Sequence, residues 1–194
     1  VAVDKRWILG GLLVGAGIGV ARLVTSHPKV GGDTKILFFG DSLAQGVGPH
    51  LKGLATEERV PYLGAGRQGS RIDQWVHSDW LANAVEVYEP TLVLISLGTN
   101  DAYSALSPEA VAESQRELLS KLPADADVVW VGVPALPETY SGRHPNVEVL
   151  GAIEKGAPHY YPSHELDIPR GPDHLHMTAA GYAGWAGALW EWLT

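Results

Sequence analysis

"KILFFGDSLAQGVG", residues 35–48, is the stretch on which the fold class turns. A continuous apolar run leads into Gly40, Asp41 and Ser42, and residues with helical periodicity follow. A run without polar alternation suits a strand covered on both faces. The serine at its end admits two readings: a helix N-cap, its commonest use in such a place, or a nucleophile held at a strand end. What the rest of the chain brings to that strand end decides between them.

Three more apolar runs lie downstream: "VPYLGAG" (60–66), "TLVLISLG" (91–98) and "DVVWVGVP" (127–134). Helical periodicity fills the gaps over 43–58, 71–87 and 108–122, and Ser107, Pro108 and Glu109 mark a helix start with cap, first-position proline and early acid. This alternation predicts a parallel sheet with helices on both sides. Beyond Pro134 the pattern loosens into a loop over 135–147, a short helix over 147–156 and a last strand at "HYYPS" (159–163). A closing helix over 178–193 starts near Thr178, and its Trp185, Leu189 and Trp192 share a face that reads as core packing.

The 194 residues, 45% hydrophobic and 19% charged, suffice for one domain with a sizeable core. A net charge of −8 argues against a phosphate-neutralising surface and hence against nucleic acid as a partner. With no cysteine, disulfides, thiolate metal sites and thiol catalysis fall away together. The histidines show no metal-ligand spacing, so neither metal nor cofactor is expected.

The amino-terminal segment differs in character. Residues 7–24, "WILGGLLVGAGIGVARLV", are apolar except for Arg22, and an 18-residue helix there would reach about 27 Å. Gly11, Gly15 and Gly19 line one face, as small residues do where helices approach closely. A membrane anchor is the favoured reading; a helix buried in a larger protein assembly, associating with copies of itself, and a signal peptide are the alternatives. Lys5 and Arg6 then leave the carboxyl-terminal domain outside the cytoplasm, against a weaker opposing bias from Arg22, Lys29 and Lys35. The chain thus divides into a hydrophobic helix (1–24), a polar linker (25–34) and an α/β domain (35–194).

In an open parallel sheet, ligands collect beyond the carboxyl ends of the strands. "GDSLAQG" (40–46), "GRQGSRIDQW" (66–75) and "GTNDA" (98–102) each follow a strand, and "DHLHMTAAGY" (173–182) precedes the closing helix. Ser42 in "GDSL", Gly69 in "RQGSR", Asn100 in "GTND" and His176 in "DHLH" give the chain, over about residues 35–193, a resemblance to the SGNH hydrolases, or GDSL esterases and lipases. The block around Gly69 departs from the commoner asparagine-containing version. The resemblance implies a three-layer α/β/α sandwich with about five parallel strands in flavodoxin-like order. It also implies an oxyanion hole from the backbone N–H of Ser42, the backbone N–H of Gly69 and the side-chain amide of Asn100.

Residue chemistry supports the same assignment. A serine hydroxyl needs a base to become a nucleophile, and His176 supplies an imidazole that can return the proton to the leaving alcohol. Asp173, three residues earlier, can accept from the other ring nitrogen and fix the tautomer. His174 occupies the variable position of the Asp-x-x-His spacing and is not the base. Asp41 supports the nucleophile turn, Asp101 forms the turn after the third strand, and Arg71 contacts substrate or the loop around Asn100. The expected activity is a serine esterase acting through an acyl-enzyme on acetyl or short acyl esters, on a cell-envelope carbohydrate. An acyltransferase to a sugar hydroxyl with the same triad, and an assembly subunit with an accessory hydrolase domain, are the alternatives.

Overall fold

In the computed structural model, which describes residues 27–194, the first apolar run forms strand β1 (Ile36–Gly40), buried along its length. Ile36 and Phe38 belong to one core and Leu37 and Phe39 to the other, the two-residue alternation of a strand covered on both faces. The same holds for β3 (Leu92–Ser96) and β4 (Asp127–Val131), with Leu94 and Val129 on one side and Val93, Ile95 and Trp130 on the other. With β2 (Tyr62–Gly66) and β5 (His159–Tyr161) these make an all-parallel, five-stranded sheet in the order β2-β1-β3-β4-β5. The expected three-layer architecture and strand order are those observed.

Helices α1 (Ser42–Glu57) and α7 (Ala179–Leu193) cover one face through Leu43, Val47, Leu51, Trp185 and Leu189. The other face takes α2 (Ile72–Val76), α3 (Asp79–Tyr88), α5 (Pro108–Ser120) and α6 (Val147–Gly156); α4 (Thr99–Ala102) is a single turn after β3. Burial of each large apolar side chain contributes roughly 1.5–3 kcal/mol. Trp185 and Leu189 are fully buried as expected, whereas Trp192 packs at the edge of that core and stacks on His27 with ring centroids 4.0 Å apart.

The helix expected over 71–87 is two helices. Ser78 accepts from the Leu81 N–H and caps α3, so the chain breaks at His77 and Ser78 and turns. Residues 27–30 are fastened to the end of α7: Val30 N–H donates to the Leu193 carbonyl at 2.7 Å and Lys29 Nζ to that of Trp192 at 3.1 Å. Among the described residues no helix is long and apolar enough to cross a membrane; the hydrophobic helix expected over 7–24 lies outside them.

Candidate active site

The four sequence blocks meet where the strands end. Gly40 closes β1 against the backbone of β3, and a Cβ there would run into the Ser96 carbonyl oxygen. The close approach lets the chain turn at once into α1. Asp41, and not Ser42, is the cap of that helix: its Oδ1 accepts from the Leu43 N–H at 2.9 Å. Relieved of capping, the Ser42 hydroxyl lies 2.9 Å from His176 Nε2. Its N–H, at the first position of α1, has no acceptor within the helix.

His176 sits in a turn built by Asp173. Asp173 Oδ1 accepts from the backbone N–H of Leu175 at 3.1 Å and of His176 at 2.9 Å, while Oδ2 lies 2.6 Å from His176 Nδ1. A carboxylate only accepts, so Nδ1 carries the proton and Nε2 is left to accept from Ser42. The hydrogen bond from the His176 ring, then those from the backbone, hold the Asp173 carboxyl below its ordinary range. The His176 and Asp173 side chains are 31% and 42% exposed, which leaves water a path to the imidazole. His174 is exposed, in a left-handed conformation with φ 58°, and takes no part in this chain of hydrogen bonds.

Gly69 and Asn100 lie alongside. Gly69 has φ 71°, in the left-handed region, and an added Cβ would meet nothing within 4 Å, so it needs glycine for conformation and not for space. The loop carrying it is held from below by Trp75 Nε1, which donates to Ser70 Oγ at 2.9 Å. Asn100 Nδ2 donates to the Ser70 carbonyl at 3.0 Å and lies 3.4 Å from Asp41 Oδ2, a long contact. One amide N–H is thereby well held and the other weakly.

Beneath the surface are two buried carboxyls. Burial pushes Asp41 up to about 6, against the N–H of Leu43 and other donors that favour its charge. Asp101 accepts from the Ile72 N–H at 3.3 Å, joining the "GTND" turn to the start of α2, and its Oδ2 has no partner among the described residues. Its pKa is raised to about 7 by burial, opposed by the Ile72 N–H and assisted by Asp73 and Asp41. Arg71 pairs with Asp73 at 3.0 Å and, with Asn100 and Gly69, lines a cavity of about 340 Å³.

Sequence reasoning missed three contributors. Arg170 Nη1 donates to the Leu175 carbonyl at 2.7 Å and its Nη2 to that of Ala135, which ties the histidine turn to the loop after β4. Tyr140 and Arg143, read as loop, form a hairpin that walls the cavity, with backbone hydrogen bonds of 2.9 and 3.0 Å and φ of 51° and 74° at Ser141 and Gly142. A Ser-Gly pair between two larger residues was the available signal for that turn.

Residues 38–183 match the model of a family described as GDSL-like lipase/acylhydrolase. Among solved structures, the fold is similar to the psychrotrophic esterase EstA from Pseudoalteromonas sp., at 21% identity over 82% of this chain and 96% of that one, TM-score 0.66. It is similar also to a lipase/acylhydrolase from Enterococcus faecalis (18% identity, 81% and 94% covered, TM-score 0.61). A carbohydrate esterase family 3 protein from Talaromyces cellulolyticus is a third such structure (15%, 81% and 95%, TM-score 0.60). No curated protein matches the chain in sequence.

Proposed function

The chain belongs to the GDSL-like lipase/acylhydrolase family and is a serine ester hydrolase, and from that premise we propose that Ser42, His176 and Asp173 are its catalytic triad. The observation that supports this most directly is the unbroken hydrogen-bonded line from Asp173 through His176 to Ser42. Ser42 Oγ attacks the ester carbonyl as Nε2 takes its proton; the tetrahedral adduct expels the alcohol, which leaves with that proton. Water activated by the same nitrogen then releases the acid. Asp173 holds the ring and stabilises the imidazolium.

The oxyanion is received by the N–H groups of Ser42 and Gly69 and by Asn100. The long Asn100 contact to Asp41 is the one an oxyanion displaces, while the bond to Ser70 keeps the amide aimed. For substrate we infer acetyl or short acyl esters, on a cell-envelope carbohydrate. In support, a structurally similar protein is named a carbohydrate esterase, and the cavity of about 340 Å³ bordering Gly69 and Asn100 is at the small end for ligand sites. The 31% exposure of the His176 side chain favours water over a sequestered acceptor, hence hydrolysis over acyl transfer. We further propose that residues 7–24 anchor the domain outside the cytoplasm, a reading supported by their apolar run and by Lys5 and Arg6 before it.

The test is turnover of 4-nitrophenyl acetate and release of acetate from acetylated glycans. Ser42→Ala and His176→Ala are each expected to lower kcat by roughly 10⁴–10⁶-fold with folding intact. Wild-type activity in either variant overturns the triad. Loss in His174→Ala with retention in His176→Ala would move the base to the neighbouring ring. Flotation of the full chain with membranes, against release of a chain starting at Lys35, tests the anchor.

A further inference from the structure

The cavity beside Asn100 carries groups that ester cleavage alone does not call for. Its walls include Arg71, Tyr103, Tyr140 and Arg143, so two guanidiniums and two phenol rings meet at the mouth of the site. Arg143 stands on the tight hairpin turn, and its Nη1 donates to the Tyr103 carbonyl at 3.2 Å. Among the described residues it forms no ion pair with a carboxylate. Arg71 gives one edge to Asp73 and leaves its Nε buried without an acceptor.

Two acids that touch the cavity wall are engaged, Asp73 with Arg71 and Asp173 with His176; Asp41 and Asp101 are buried, and Glu138, two residues before Tyr140, is exposed. Arg170, from behind, holds Leu175, another wall residue. In a chain of net charge −8 this is a local cationic spot, and a guanidinium is the side chain best shaped for a carboxylate or phosphate. The Tyr103 and Tyr140 rings, with centroids 5.7 Å apart, line the same cavity, which also borders Gly69 and Asn100.

We propose that this cavity selects esters carrying a second, non-reacting anionic group, a carboxylate or phosphate, with Arg143 as its main contact and Arg71 in support. The proposal rests on the triad assignment above and names the substrate class for that site. The chemistry balances as ordinary hydrolysis: water adds hydroxyl to the acyl carbon and a proton to the alcohol oxygen, and the remote anion is unchanged.

The test compares matched esters on the full chain, with Ser42→Ala as blank. 4-Nitrophenyl hemisuccinate against 4-nitrophenyl acetate puts the charge on the acyl side; 4-acetoxybenzoate against its methyl ester puts it on the alcohol side. One anionic ester is expected to exceed its neutral partner in kcat/KM, and Arg143→Gln to lower that ratio by about tenfold, mainly through KM. Arg143→Lys restores part of the ratio, and Arg116→Gln, on α5 and outside the cavity wall, leaves it unchanged. Ester hydrolysis that depends on Ser42 but shows equal ratios in wild type and Arg143→Gln overturns the anion site alone. Absence of Ser42-dependent hydrolysis of every ester overturns the triad reading beneath it.

Discussion

Asn100 shows how much of the site is decided one side chain at a time. Its amide is tied to the Ser70 carbonyl and only loosely to Asp41, so its orientation is fixed before substrate arrives. Asn100→Ala is therefore expected to lower kcat by about 10²–10³-fold with little change in KM, measured on 4-nitrophenyl acetate. Beneath it, Asp101 predicts a pH dependence of stability. A carboxyl raised from 3.8 to about 7 binds its proton more tightly folded than unfolded. Its contribution is complete below pH 4 and is lost as pH rises towards 7, and Asp41 adds a similar loss up to about pH 6. Thermal melts of Asp101→Asn between pH 4 and 7 should show a shallower fall in Tm than wild type; an identical fall would mean that the charge at 101 is not its source.

At the level of helices and strands, much was legible because the sheet is buried on both faces and its strands are unbroken apolar runs. All four runs and the short stretch at 159–163 form strands in the structure, shortened at their ends. The break between α2 and α3 was obscured because Trp75, Val76 and Leu81 keep helical periodicity across it, and only Ser78 betrays it. The candidate site residues were legible from their blocks, but which of Asp41 and Ser42 caps α1 was not. Asp41 and Ser42 are both good caps, and which one caps depends on the backbone, not on composition. The hairpin at Tyr140 and Arg143 was hidden by its shortness. Two glycines give contrasting expectations at this scale. Gly40→Ala forces strand backbones apart and should cost about 3 kcal/mol by urea unfolding. Gly69→Ala meets only open space and should cost about 1–2 kcal/mol, from its positive φ alone.

Taken whole, the molecule depends on α7 to close one face of the sheet. Trp185 is fully buried there and its Nε1 donates to Ser163 Oγ at 2.9 Å, so this indole links the last helix to the turn after β5. Trp185→Ala should lower stability by roughly 3–5 kcal/mol in a denaturant titration. Because α7 begins just after His176, loosening it should also reduce activity at temperatures where the fold persists.

Residues 27–30 clasp the far end of α7, roughly 22 Å along that helix from the histidine turn. Head and tail of the folded unit are thus neighbours, on the side away from the cleft. A circularly permuted gene, in which Thr194 is spliced by a few residues to His27 and new ends are opened at the exposed bend around Asp125, would preserve every strand pairing. Such a rearranged enzyme could be fused at those new ends to a carrier without shading its substrate entrance.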